Sequence, residues 1–246
     1  MRIKIVMKSE NGNLQVPINY NHIIQALLLS WINDKEYREF IHNEGYKYEN
    51  KNYKLFTFSK LYGLYRYNKN DQKIIFNGDV TLIVSCVEDI FMQYLINTCI
   101  LSNMPIKILN QQVIIKSVSI VNEKIHQGNI SFLSPCTVYS TIYNNGKKQT
   151  YYYEPIEKEF SDLIKQNLIS KYKAYYGQEP SDSSFSIKLL NEKSYKKIIT
   201  KYKDSYIIIA YDGCFQITGS MELIKIGYDS GLGSKNSQGF GEFKFI

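Results

Sequence analysis

GYDSGLGSKNSQGFGEFKFI, residues Gly227–Ile246, holds two glycine pairs, Gly231-Leu232-Gly233 and Gly239-Phe240-Gly241, separated by five small or polar residues. Five of the chain's 14 glycines fall here. Each costs backbone entropy, so the density asks for a reason: tight turning at positive φ, or close approach of backbone N–H groups to an anion. Ser220–Tyr228, before the pairs, reads as a helix. Phe240–Ile246, after them, alternates like a strand, with Phe243 and Phe245 opposed to Glu242 and Lys244. A P-loop or a dinucleotide fingerprint opens a helix; this loop joins a helix to a strand. A helix C-cap explains one glycine, whereas two pairs favour a ligand loop. Its candidate contacts are Gly231, Gly233, Ser234, Lys235, Asn236, Ser237, Gly239 and Gly241, with Gln238 a further donor.

Working outward, Ile3, Ile5 and Met7 alternate with Arg2, Lys4 and Lys8, as in a strand. Asn21 is placed to cap a helix through Ile24, Leu27, Leu28 and Trp31, and Asp34 a short helix that Gly45 ends. Tyr53–Ser59 and Ile74–Cys86 read as strands. A helix follows through Ile90, Phe91, Tyr94, Leu95 and Leu101, then a strand over Val113–Val121. The order β-α-β-β-α-β is ferredoxin-like. The second half repeats it. Ile130–Tyr143 is strand-like and broken at Ser134-Pro135, and Asn145-Gly146 signals a hairpin turn. Pro155 opens a helix striped by Phe160, Leu163, Ile164 and Leu168, with Lys165, Lys171 and Lys173 late, where the macrodipole favours cations. Strands follow at Phe185–Leu190, Lys196–Tyr202 and Tyr206–Thr218. The expected fold class is α+β, two tandem ferredoxin-like modules over 1–121 and 122–246, with the boundary near 121–128.

The 246-residue chain carries a net charge of +7, a pI of about 9.0, 22 Tyr and 12 Phe. Basic charge with many aromatics suits RNA, where phosphates want cations and splayed bases want stacking surfaces. Cys86, Cys99, Cys136 and Cys214 form no C-x-x-C pair and neighbour no histidine, which argues against zinc and for buried, reduced thiols. No apolar run reaches membrane-spanning length, so a cytoplasmic protein is expected. Lys188–Lys203 holds six lysines and one acid, Glu192, interleaved with Tyr195 and Tyr202. Lys196, Lys197 and Lys201 there suit phosphate tracking, although a solvated hairpin face fits the run equally well.

The terminal glycine pattern resembles the signature of the RAMP superfamily of CRISPR-associated RNA-binding proteins, and more narrowly the Cas-six family of repeat endoribonucleases. The resemblance extends to Val16-Pro17 with Tyr20-Asn21-His22, to Lys54-Leu55-Phe56-Thr57-Phe58-Ser59, to Leu133-Ser134-Pro135 and to Glu157-Lys158-Glu159-Phe160. It implies the same tandem fold over nearly the whole chain. It also implies metal-independent cleavage of CRISPR repeat RNA by 2′-OH attack, without a cofactor, to release guide RNAs.

Of three histidines, His22 opens the first helix, where it reads as helping set the turn, and His126 lies in the linker. His42, in Phe40-Ile41-His42-Asn43-Glu44-Gly45, stands where the family carries a catalytic histidine. Lys54 stands where it carries a charge-stabilising residue. Family members with a tyrosine in the first helix have it where this chain has Leu29, beside Ser30 and Trp31. Tyr20, Tyr37, Tyr46 or Tyr48 stays open as its replacement. The expected partner is CRISPR repeat RNA, with other effector-complex subunits left open, no membrane, and a monomer or weak homodimer. Two other readings remain: a RAMP subunit that binds guide RNA without cutting, and an unrelated tandem ferredoxin-like protein that binds small molecules or proteins.

Overall fold

The computed structural model describes residues 1–101, 106–144, 146–191, 194–203 and 206–246. Asn145 of the expected hairpin turn, and Glu192 and Lys193 of the basic run, lie outside the described residues.

The alternation that starts at Arg2 runs on through β1 (Arg2–Pro17), and Ile3, Ile5, Met7, Leu14 and Val16 all point into the first core. Then come α1 (Asn21–Ser30), α2 (Lys35–Glu39) and a single π-helical turn, Phe40–Glu44. Asp34 caps α2 as expected, its Oδ1 accepting from Tyr37 N at 2.9 Å. Asn21 does not cap α1. The N-cap position is Tyr20, and Asn21 reaches across to donate to Gln238 O and Gly239 O at 2.8 and 3.3 Å.

The strand expected over Tyr53–Ser59 is broken at Leu55, whose φ of +51° ends one pairing and starts another. β2 (Tyr46–Tyr48) pairs with β3 (Lys51–Tyr53), while β4 (Phe56–Phe58) joins the main sheet. There follow β5 (Tyr62–Asn68), β6 (Lys73–Cys86), α3 (Asp89–Leu101), β7 (Ile106–Ile108) and β8 (Gln111–Ile120). The antiparallel sheet runs β4-β6-β1-β8-β7, with β5 also on β6. This is the fourth–first–third–second order of a ferredoxin-like module, with β4 and β5 sharing second place along β6. Phe56 and Phe91 stack at 4.8 Å where α3 packs on this sheet; truncating either to alanine costs about 3–5 kcal/mol.

The second module repeats the order. It comprises β9 (Gly128–Phe132), β10 (Tyr139–Asn144), β11 (Lys147–Tyr152), α4 (Lys158–Tyr176), β12 (Phe185–Leu189), β13 (Lys196–Tyr202), β14 (Tyr206–Asp212), β15 (Cys214–Gly219), α5 (Met221–Ser230) and β16 (Phe243–Phe245). Its sheet is β12-β15-β9-β16, again fourth–first–third–second, and a second core fills it. β10–β11 and β13–β14 are separate hairpins. The long strand expected over Tyr206–Thr218 splits at Gly213. Pro155 precedes α4 rather than opening it, because Glu157 at the N-cap is extended and its carboxylate turns back to Tyr151 and Glu154.

Arg2 and Glu242 reverse the outward placement that strand alternation suggests. Both are buried, because the opposite face of each strand packs against the other module. Arg2 donates to Ser85 Oγ at 2.6 Å, Phe243 O at 2.7 Å and Tyr228 O at 3.0 Å, and stacks on Tyr228 at 3.6 Å. Glu242 Oε1 lies 3.5 Å from Arg2 Nε and accepts from Ser85 Oγ at 2.8 Å. Burial pushes the Glu242 carboxyl up to about 7, with Arg2 and Ser85 pulling the other way.

Candidate active site

His22, Gln25, Ala26, Leu29 and Ser30 recur at helical spacing along one face of α1. That face forms one wall of a cleft of about 520 Å³. Arg38 and Glu39 of α2, with His42 and Asn43 of the π-helical turn, form the other wall, and Lys203 at the end of β13 reaches its rim. The turn that carries His42 is held by Gly45 N donating to Phe40 O at 2.7 Å. Gly45 has φ +70°, and a Cβ there would sit 2.5 Å from Tyr53 O, so the turn is pressed against β3. Extra-wide turns of this kind recur at functional sites. His42 is exposed, and its Nδ1 lies 2.7 Å from Asn43 Oδ1. Asn43 Oδ1 accepts, so Nδ1 carries the proton and Nε2 is left for the cleft.

Leu29, where the resemblance implies the family tyrosine, lines the cleft and is itself buried. None of the four alternative tyrosines lines it. Tyr20 is buried and accepts from Leu61 N at 2.9 Å, and burial pushes its phenol up to about 12. Tyr37 stacks on Tyr94, Tyr46 packs edge-on to Phe40, and Tyr48 binds Lys173 Nζ at 3.0 Å. Lys54 does not line the cleft either. It sits half-buried between β3 and β4, and desolvation pushes its ammonium below the usual lysine value.

The β13–β14 hairpin is docked on α1 and the residues before it. Asn19 Oδ1 accepts from Thr200 Oγ1 at 3.0 Å and Lys201 N at 3.3 Å, and Tyr202 OH binds Gln25 Oε1. Tyr202 meets the His22 ring edge-on, 6.1 Å between centroids. Lys197, Ile199 and Lys201 share the outer face of β13. Lys196 points the other way, since successive side chains alternate. Lys197 pairs with Glu154 at 3.6 Å.

The glycine loop is packed inward, with four of its residues half-exposed. Gly231, Gly233, Gly239, Gly241 and Asn236 are buried; Ser234, Lys235, Ser237 and Gln238 are half-exposed. A Cβ on Gly233, at φ +70°, would lie 2.6 Å from Thr137 O, and one on Gly239, at φ +82°, would strike the Phe58 ring. Asn236 spends its amide on Leu232 O and Phe240 O at 3.0 and 2.9 Å, and its oxygen accepts from Lys171 Nζ at 2.7 Å. Lys171 also donates to Gly231 O at 2.6 Å. Lys171 is therefore not one of the outward lysines that suit the helix dipole. It is buried under the loop, and burial pushes its ammonium down to about 7. Its spacing from Ile164 and Leu168, on the apolar stripe, was the available signal. Lys235 lies over the faces of Tyr139 and Tyr206, 5.1 and 5.0 Å from the ring centroids, a cation–π arrangement.

Among the described residues, no group of three or more His, Cys, Asp or Glu side chains could hold a metal ion. Among them, too, no helix is long and apolar enough to cross a membrane.

Residues 119–245 match the family model described as "CRISPR associated protein Cas6, C-terminal". The chain is 26% identical over 244 residues to the "CRISPR-associated endoribonuclease Cas6" of Pyrococcus furiosus, covering 98% of this chain and 88% of that protein. It is 24% identical over 243 residues to "CRISPR-associated endoribonuclease Cas6 1" of Methanocaldococcus jannaschii, covering 98% of this chain and 91% of that one. A solved structure of a Cas6-related protein from Pyrococcus furiosus superposes with a TM-score of 0.85 at 23% identity, covering 100% of this chain and 98% of that chain. Another, described as "An RAMP protein binding different RNA substrates", gives 0.83 at 23% identity, with 100% and 99% covered. These superpositions bear out the tandem ferredoxin-like fold.

Proposed function

The chain belongs to the Cas6 family of CRISPR-associated proteins, and on that premise we propose that it is an endoribonuclease that cuts CRISPR repeat RNA in precursor transcripts to release guide RNAs. The reaction is metal-independent. The ribose 2′-oxygen attacks the adjacent phosphorus, the bond to the 5′-oxygen breaks, and the products are a 2′,3′-cyclic phosphate and a 5′-OH. The observation that carries this reading is His42, held on a fixed turn in a cleft that also receives Arg38 and Lys203. His42 moves a proton. Arg38 and Lys203, which reach the cleft, are better placed than Lys54 to balance charge on the phosphorane. Half-exposed Ser234, Lys235 and Ser237, with Lys201 on the hairpin, are the candidates to hold the RNA in register, and such positioning contributes much of the rate.

The buried Leu29 favours a second reading, a RAMP subunit that binds guide RNA without cutting it. Incubating the protein with the repeat RNA encoded beside its gene, in excess chelator, separates the two. Cleavage with a cyclic-phosphate end supports the nuclease. Tight binding with no cleavage, with or without divalent ions, supports the subunit. Cleavage only after a divalent ion is restored would reassign the chemistry to a metal.

A further inference from the structure

Breaking an RNA phosphodiester by 2′-OH attack needs two proton transfers, one from the nucleophile and one to the leaving 5′-oxygen. In an in-line displacement these two oxygens stand on opposite sides of the phosphorus, so one fixed imidazole is poorly placed to reach both, and Leu29 has no proton to give. The other titratable or charged side chains lining the cleft are His22, Arg38, Glu39 and Lys203. Of these side-chain types, imidazole alone ordinarily both takes up and releases a proton near neutral pH. We infer that His22 is the second proton-transfer residue of this cleft, working opposite His42. This inference rests on the nuclease reading above.

The surroundings of His22 agree with that role. A histidine kept to set a helix start spends a ring nitrogen on the backbone of the turn. Here Nδ1 is buried with no hydrogen-bond partner among the described residues, so it is not spent on the backbone of the turn, and the residue itself lines the cleft. The ring is held by an edge-on contact with Tyr202, and Tyr202 is itself anchored to Gln25, one helical turn along α1. The hairpin therefore orients the imidazole without engaging its nitrogens. His22 stands seven residues before Leu29, about 10 Å along the same helix face, and His42 stands on the facing wall. The balance is complete without any further reactant. One imidazole takes the 2′-OH proton as the phosphorus–2′-oxygen bond forms. The other gives its proton to the 5′-oxygen as the phosphorus–5′-oxygen bond breaks. Solvent then resets both rings.

The test compares wild type, His22→Ala and His42→Ala on two RNAs. One is the normal repeat, and the other carries sulfur in place of the bridging 5′-oxygen at the cut. A thiolate leaves without a proton, so this substrate bypasses the general acid. Both variants should bind the normal RNA within a few-fold of wild type and lose about 10²- to 10⁴-fold in rate. The bell-shaped pH–rate profile of wild type should lose one limb in each variant, a different limb in each. The sulfur substrate should restore one variant and leave the other slow. His22→Gln, of similar reach and unable to take up a proton, stands in should the alanine variant not fold. His22→Ala cutting at the wild-type rate overturns the inference and leaves the nuclease reading intact. So does a slow variant with both limbs retained, or sulfur restoring both variants or neither. Wild type that binds repeat RNA without cutting it overturns the nuclease reading itself, and this inference with it.

Discussion

Lys171 Nζ donates to Asn236 Oδ1 at 2.7 Å, fastening α4 to the middle of the glycine loop from below. The same ammonium holds Gly231 O. The loop's shape is thus set by a buried lysine.

That burial makes stability depend on pH with a definite sign. The Lys171 value falls from 10.5 unfolded to about 7 folded. Below pH 7 both states are protonated and the cost of burying the charge is fully present. Between pH 7 and 10.5 the unfolded chain holds the extra proton, so stability rises with pH, by at most about 1.4 kcal/mol per unit. Urea unfolding of wild type should show a higher midpoint at pH 9 than at pH 7. Lys171→Met should lack that rise, while losing about 1–3 kcal/mol at high pH to unpaired carbonyl oxygens. The same rise in both proteins would show that another group titrates.

Gly239→Ala should destabilise the protein before it affects RNA. The left-handed backbone costs an L-residue roughly 1–2 kcal/mol, and pushing a methyl into the Phe58 ring adds about 1–3 kcal/mol. Thermal unfolding reads this directly. A variant as stable as wild type that nonetheless loses RNA would show that the glycine is needed for close approach of the backbone to RNA.

The hairpin lysines should contribute unequally to RNA binding. Each phosphate neutralised on a single strand adds about 0.7 to the salt slope. Lys201→Gln should flatten the slope by about that amount. Lys197→Gln should do less, because Glu154 already faces it. Lys196→Gln should act independently of both, being on the other face of the strand. Equal slopes in all three variants and wild type would make the hairpin an ordinary solvated surface.

A single 2′-deoxyribose before the cut removes the nucleophile and leaves every phosphate and base in place. Binding should be unchanged and cleavage absent. His42→Ala on normal RNA should match, with binding within a few-fold and a rate down about 10²- to 10⁴-fold. Cleavage of the deoxy substrate at that position would rule out 2′-OH attack, and a wild-type rate for His42→Ala would move proton transfer elsewhere.

Element order was legible because each element carries its own period: Ile3, Ile5 and Met7 for a strand, Phe160, Ile164 and Leu168 for a helix. Side-chain destinations were less so. Strand alternation tells that Arg2 and Glu242 oppose the core, but not that a second module covers that face. Lys171 looks like a late-helix lysine until the loop is laid over it. Asn21 has the chemistry of a cap, and its amide goes instead to a partner 217 residues away. The left-handed Leu55 leaves no local signature, so the break that makes β3 and β4 was invisible. A helix start explains His22 on its own; only the cleft shows its company.

The joints that complete the cleft and seat the loop are among the most distant in the chain. Thr200 to Asn19 spans 181 residues, Asn21 to Gln238 spans 217 and Thr57 to Phe240 spans 183. Such contacts repay their loop-closure entropy only after local structure exists. Each module can collapse around its own apolar side chains first, with the seam between them assembled last. Trp31, the chain's one tryptophan, belongs to the first core, so its burial marks the early event. The arrival of Lys203 at the cleft belongs to the late one.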